Sequence, residues 1–331
     1  MKSRTLPIVA AVAASVCLAA CGSETSPPPK AAEPQALSTI ALPESVSFPE
    51  GVAYDASANA LYTAAATDGT LVRVDAATGA ATVVTPAGTL VPADNTTFPG
   101  PLGMKIDDAK RLWIAGGRTG KIWIVNTADG SVLKEATVPT AGKSLINDVT
   151  LAGGAGYFTD TFVPTLWRVA AKGEAIGDLE PWLDLQGTAI EYGEGANLNG
   201  ITSTPDGQTL IVVQMAKGLL FKIDVATKAV TAIDTAGADL SGSDGLVLDG
   251  NTLYVVRQTA VEIATVQLND DLTTGTVTSR FTDSALAWPA TAAKVGSDLI
   301  AVNTQFNTRR ENTTTRPFTL VRVPVARLTA Q

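Results

Sequence analysis

The feature that most constrains this chain is a repeat. FPEGVAYD, Phe48 to Asp55, leads into the short alternating segments ALYTAAATDG, TLVRVDAATG and AATVVTP. The same plan returns as PLGMKIDD, RLWIAGGRTG, KIWIVNTADG and SVLKEAT. Three more copies begin at INDVTLAG, NGITSTPDG and DGLVLDGN, and a worn sixth begins at WPATAAKVG. Aligning the residue ahead of each first segment gives Glu50, Leu102, Asn147, Asn199, Asp244 and Pro289, with steps of 52, 45, 52, 45 and 45. Apolar alternation of period two makes each segment a strand. Pairs such as Asp68-Gly69, Thr78-Gly79, Asp129-Gly130, Asp206-Gly207 and Asp249-Gly250 make the joints tight turns.

A four-strand meander repeating at this period is the mark of a propeller blade. No long helical period interrupts it. The expected fold is all-β, a six-bladed β-propeller of four-stranded antiparallel blades spanning residues 37–331, without the WD dipeptide of one propeller class. Only three convincing strands follow Pro289. The β-prone segment LSTIAL, Leu37 to Leu42, is expected to supply the fourth and close the ring, hiding an edge that would otherwise invite aggregation.

Ahead of the repeats lies a different texture. Lys2 and Arg4 precede an apolar run from Leu6 to Ala20, too short for an ordinary membrane span and suited to a signal peptide. The run ends in Leu18-Ala19-Ala20-Cys21, which resembles the bacterial lipoprotein signal. On that reading residues 1–20 are the signal peptide, Cys21 is the lipidated residue and 21–36, rich in Pro, Ala and Ser, is a tether. The alternative is a plain signal cleaved after a small residue. An exported lipoprotein anchored on the extracytoplasmic side of the membrane, at the cell surface or in the periplasm, is expected, with no membrane contact beyond the lipid.

Composition then excludes chemistry. The 331 residues contain no histidine, which rules out a Ser-His-Asp triad, a histidine base and histidine-held zinc, copper or haem. Of two cysteines, Cys17 and Cys21, neither lies in the repeats, so the domain has no thiol nucleophile and no disulfide. A net charge of -8 without a basic stripe argues against nucleic acid as a partner. A monomer acting on a small molecule is the expectation.

In a propeller the first strand of each blade is innermost, so the six aligned residues should ring the central channel. Four of them, Glu50, Asn147, Asn199 and Asp244, carry hard oxygen donors of the kind that calcium takes six to eight of at about 2.3 to 2.6 Å. Two carboxylates about 5 Å apart at an effective dielectric near 20 would repel by roughly 3 kcal/mol, which a divalent ion removes. Each residue alone has a plainer reading as a turn or cap residue. Oxygen donors at four of six equivalent positions set the conjunction apart from independent turns.

This set resembles the senescence marker protein/gluconolactonase family and its relatives, the paraoxonases and diisopropylfluorophosphatases. Their metal-binding glutamate matches Glu50 in PEG, the two asparagines match Asn147 in IND and Asn199 in LNGI, and the aspartate matches Asp244 in SDGL. The likeness runs from Phe48 to Val325. It implies an axial divalent ion, usually calcium, and hydrolysis of lactones, esters or phosphotriesters with the ion as Lewis acid. Asp244 would be base or nucleophile, although a metal-bound carboxylate has its pKa lowered and makes a poor base. Two departures bear on substrate: the histidines implicated in paraoxonase catalysis have no counterpart, and Gly51 is followed by Val52 where gluconolactonases usually have proline.

Turns between second and third strands should open on the face of the axial ring. They bring Asp68, Arg118, Asp160, Thr161, Gln214, Arg257 and Asn303 into consideration, with Arg118 or Arg257 as an anion holder and Asp160 or Gln214 as a water-orienting group. Arg257, which ends the run LYVV, is the preferred catalytic partner of Asp244. The competing readings are a non-catalytic ligand- or protein-binding propeller with a structural calcium, and an NHL-like scaffold without metal.

Overall fold

The computed structural model describes residues 1, 36–92, 94, 96–311 and 313–329. Apart from Met1, the expected signal peptide lies outside them, as do Cys21 and almost all of the tether. Among the described residues no helix is long and apolar enough to cross a membrane.

Residues 37–331 form one compact unit of six four-stranded antiparallel sheets. The first five are consecutive meanders, for example Ile146–Ala152, Ala155–Asp160, Thr165–Lys172 and Ala175–Asp184 in blade three. Blade six takes Pro289–Val295, Asp298–Asn303 and Thr319–Pro324 from the C-terminal part of the chain and its outer strand, Ser38–Ala41, from the other end. Ser38 pairs with Arg322 and Ala41 with Thr319, so closure by the Leu37–Leu42 segment is observed. Each innermost strand touches the next, and those of blades six and one complete the ring.

The strands form where alternation predicts, because the side chains of adjacent blades need an apolar layer on both faces. Between blades three and four, Tyr157 and Leu166 meet Leu210, Val212 and Phe221, all buried. Burying a side chain of this kind is worth about 1.5 to 3 kcal/mol. The turn pairs behave as expected: Asp129 accepts from Ser131 N and Oγ at 2.9 and 2.7 Å, and Gly130 takes a φ of 74° that a side chain rarely adopts.

The innermost strands differ from the simple alternating picture in one respect. Asn147, Asn199 and Asp244 do not precede their strands but lie within them, at register shifts between Ile146 and Val149, Leu198 and Ile201, and Ser243 and Leu246. In blade six Pro289 opens its strand, paired with Asn303, and the shift before Ala292 makes Ala290 the equivalent residue in place of Pro289. A bulge there leaves residues unpaired and re-aims their side chains. Glu50, by contrast, stands ahead of its strand, Ala53–Asp55.

Candidate axial site

The four polar ring residues are all buried, at 4% exposure for Glu50, 6% for Asn147, 5% for Asn199 and 3% for Asp244. The position after three of them explains how their strands come so close. A Cβ on Gly51 would strike the Leu102 carbonyl, on Gly200 the Asp244 carbonyl and on Gly245 the Thr291 side chain. Only a residue without a side chain allows neighbouring blades to approach in this way.

Blade three breaks that pattern. Where blades one, two, four and five have glycine after the ring residue, blade three has Asp148, whose carboxylate lies in the space a Cβ on Gly103 would need. It accepts from Val149 N at 2.8 Å and from Ile201 N at 3.1 Å. This third buried carboxylate is absent from the sequence-based site. The signal for it was available, as IND where the motifs of blades one, two, four and five read xG.

The cluster is electrostatically strained. Burial pushes the Glu50 carboxyl well above the usual carboxylate range, and the charges of Asp244 and Asp148 push it further, against the pull of Lys105. Burial and then Asp148 do the same to Asp244, while Asn199 works in the opposite direction. Asp148 is raised by burial and held down by Lys105 and its two backbone donors.

Hydrogen bonding leaves a specific set of atoms unmatched. Asn147 Nδ2 donates to Thr161 Oγ1 at 3.0 Å, Thr161 donates onward to Leu198 O at 2.8 Å, and Asn199 Nδ2 lies 3.2 Å from the sulfur of Met215. With the amide nitrogens so placed, no donor among the described residues reaches Asn147 Oδ1, Asn199 Oδ1 or Glu50 Oε2. A buried acceptor without a donor costs about 1 to 3 kcal/mol, so three of them beside Asp244 suit a cation. The donor set is hard and oxygen-only, which fits calcium. Among the described residues no three His, Cys, Asp or Glu side chains are placed as a metal cluster, so any ion here would depend on the two carboxamides.

The expected outer partners mostly have other work. Asp160 is fully buried and accepts from Leu145 N, Phe162 N and Val163 N, each at 3.1 Å. Gln214 donates to Glu191 O and Asn197 Oδ1, leaving its own Oε1 unpartnered. Asn303 clamps Ala285, Ala287 and Thr319, and Asp68 closes a turn on Thr70. Thr161 supports Asn147, as described.

Arg257 requires a correction. Its guanidinium is bound to Glu262 at 2.5 Å, Asp239 at 3.1 Å and the Ser241 carbonyl, and it does not join the axial cluster. The strand ends at Arg257, and the next residue, Gln258, stands in the turn, where its N–H donates to the Gly242 carbonyl at 2.9 Å and its side chain reaches the axial cluster. Its Nε2 donates to Asp244 Oδ2 at 2.6 Å.

No protein-family profile matches the chain, and no curated protein is detectably similar in sequence. Solved structures do resemble it. Mala s 1, an allergen of Malassezia sympodialis, superposes with a TM-score of 0.68 at 16% identity over 90% of this chain and 99% of its own. Regucalcin, a calcium-binding protein of Agrobacterium tumefaciens, gives 0.64 at 16% identity over 87% and 93%. A gluconolactonase of Xanthomonas campestris gives 0.58 at 18% identity over 87% and 89%. This chain shares their fold. At such identities the likeness speaks for architecture, and the case for chemistry rests on the axial residues.

Proposed function

We propose that the protein is a calcium-dependent hydrolase of lactones or related esters and phosphotriesters, with the ion held on the propeller axis by Glu50, Asn147, Asn199 and Asp244. The observation that carries this reading is the set of three buried, unmatched oxygens from three blades beside a carboxylate from a fourth. Calcium binding and lactonase activity in proteins of the same fold support it. When bound, the ion supplies Lewis-acid polarisation of the substrate carbonyl or phosphoryl oxygen. The chain's own contribution is positional. Thr161 fixes the Asn147 amide and Gln258 holds one oxygen of Asp244. Asp244 is the group we assign to handle the proton of an attacking water. Export as a lipoprotein through Cys21 and action as a monomer belong to the same proposal.

The competing reading is a non-catalytic propeller that binds a ligand or a protein and keeps calcium as a structural pin. It is favoured by the absence of histidine and by the engagement of Asp160 and Arg257 in structural contacts. One experiment separates the two. Thermal unfolding in chelator and with calcium, for wild type and Glu50→Gln, reports the site, and a panel of lactones and aryl esters reports turnover. A calcium-dependent rise that the variant loses, with turnover, supports the hydrolase. The rise without turnover on any member of the panel supports the pin, and no rise removes both.

A further inference from the structure

A cavity of about 600 Å³ adjoins the axial cluster on the face carrying the turns between second and third strands. Gln258, the residue bound to Asp244, is part of its wall, so the cavity and the site share a side chain. Phe98 and Phe306 give it an apolar side, with ring centroids 5.3 Å apart. Arg118, Arg309 and Arg310 give it a cationic one.

Those arginines differ from most others of the chain, and of the remaining described arginines without a carboxylate partner, Arg73 donates to the Ala58 carbonyl and Arg316 to the Glu44 carbonyl and Ser47 Oγ. Arg111, Arg168, Arg257, Arg280 and Arg322 are ion-paired to carboxylates. Among the described residues Arg118, Arg309 and Arg310 have no carboxylate partner, in a protein of net charge -8 where acidic groups are plentiful. Two of the three are held by aromatic faces instead: Arg309 lies 3.8 Å from the Phe98 centroid and Arg118 4.5 Å from that of Phe162. Stacking of this kind orients a planar guanidinium while leaving its N–H donors for another group. Three such groups around one cavity form a fork for a planar oxyanion.

We propose that this cavity seats the carboxylate of an organic anion whose apolar part lies against Phe98 and Phe306. On the hydrolase reading, on which the word substrate rests, the substrates are therefore carboxylate-bearing esters or lactones and not neutral ones. The acidic axial cluster lies on the Gln258 side, which sets the orientation: anionic end toward the arginines, reacting carbonyl toward Asp244.

The test is equilibrium binding of 4-phenylbutyrate and of 4-phenylbutyramide, which match in shape and differ in charge, measured by calorimetry on the intact protein with calcium. We expect the acid to bind at least tenfold more tightly. Arg118→Ala combined with Arg309→Ala should bring the two ligands within about threefold of each other, through weaker acid binding at unchanged amide affinity, and Arg309→Lys should recover part of the preference. All three residues are exposed, so the variants are expected to fold. Equal binding of acid and amide by the wild type, binding of neither, or a preference that survives the double replacement would overturn the proposal. Repeating the titration in chelator separates it from the metal reading: an arginine-dependent preference that persists there stands even if calcium never binds.

Discussion

Gln258 and Asp244, 14 positions apart in sequence, are joined by a hydrogen bond of 2.6 Å at the edge of the axial cluster. The bond fixes which carboxylate oxygen is left for a ligand. Groups that orient a ligand in this way typically contribute 10- to 100-fold to metal affinity. Gln258→Leu, which keeps the volume and removes the donor, should therefore weaken calcium binding about tenfold or more. Titration calorimetry measures it. An unchanged affinity would mean that Asp244 is positioned by its strand alone.

Arg257, one residue earlier, should behave in the opposite manner. Its side chain is 7% exposed and that of Glu262 11%, so Arg257→Met leaves a largely buried carboxylate short of one partner. Removing half of a buried pair costs about 3 to 5 kcal/mol, and the lower end applies because Arg280 stays on Glu262. The expected result is a large drop in denaturant midpoint with calcium affinity intact. Loss of turnover at unchanged stability would instead restore Arg257 to the catalytic role its sequence position suggested.

These two neighbours show where sequence reasoning stops. The blade period, the turn pairs and the closing strand at Leu37–Leu42 were legible because each depends on local alternation or on a short-range turn. Glu50, Asn147, Asn199 and Asp244 were legible as a set because the repeat puts them at equivalent positions. Choosing Arg257 over Gln258 depended on whether the end of one strand or the turn after it looks inward opposite a bulge, which a shift of one residue decides. Asp148 was visible in the letters as the residue replacing glycine. Its meaning depends on how closely two blades approach, a distance that no single segment encodes. The arginine cavity joins turns of blades two, five and six and could only be seen once the ring was closed.

Glu50→Gln separates repulsion from ligation. Because Glu50 Oε2 has no partner to lose, the variant relieves like-charge repulsion at little hydrogen-bonding cost. In chelator near pH 8 it should be more stable than the wild type by about 1 to 3 kcal/mol, from Coulomb energies at an effective dielectric near 20. Added calcium should then stabilise the wild type and leave the variant unmoved.

The pH dependence follows with a definite sign. Glu50, Asp244 and Asp148 all have folded-state pKa values above those of the unfolded chain, so at intermediate pH the folded state binds more protons. Stability from this source is complete below the unfolded carboxylate pKa, about 4, and is lost as pH rises through the folded values. Carboxylates held low elsewhere, such as Asp55 and Glu135, act with the opposite sign, so the cluster is read as a difference: relative to the wild type, metal-free Glu50→Gln should gain stability as pH rises from about 4. Saturating calcium, which requires the charged forms, should oppose the loss. Urea unfolding across pH, with and without chelator, reads both. A metal-free difference between Glu50→Gln and wild type that does not grow with pH would show that the carboxylates are not buried together.

Closure of the ring offers the last test, and it concerns a strand far in sequence from the one it meets. Ser38–Ala41 covers the exposed side of Thr319–Pro324, and Leu42, 3% exposed, anchors the segment through a 2.8 Å bond from its N–H to the Phe318 carbonyl. Phe318 in turn packs at a tilt against Phe48, two residues before Glu50, with centroids 5.0 Å apart. A chain beginning at Pro43 would lose Leu42's burial, worth about 1.5 to 3 kcal/mol, together with the ladder, and would present an unpaired edge to other molecules. The expectation is a lower unfolding midpoint and concentration-dependent aggregation by light scattering. Weakened calcium binding should accompany them, because the strand holds the sheet against which Glu50's own segment rests. If the shortened chain stayed monomeric with calcium affinity unchanged, the axial site would be held by the five continuous blades alone, and the shared sixth would serve only to cover an edge.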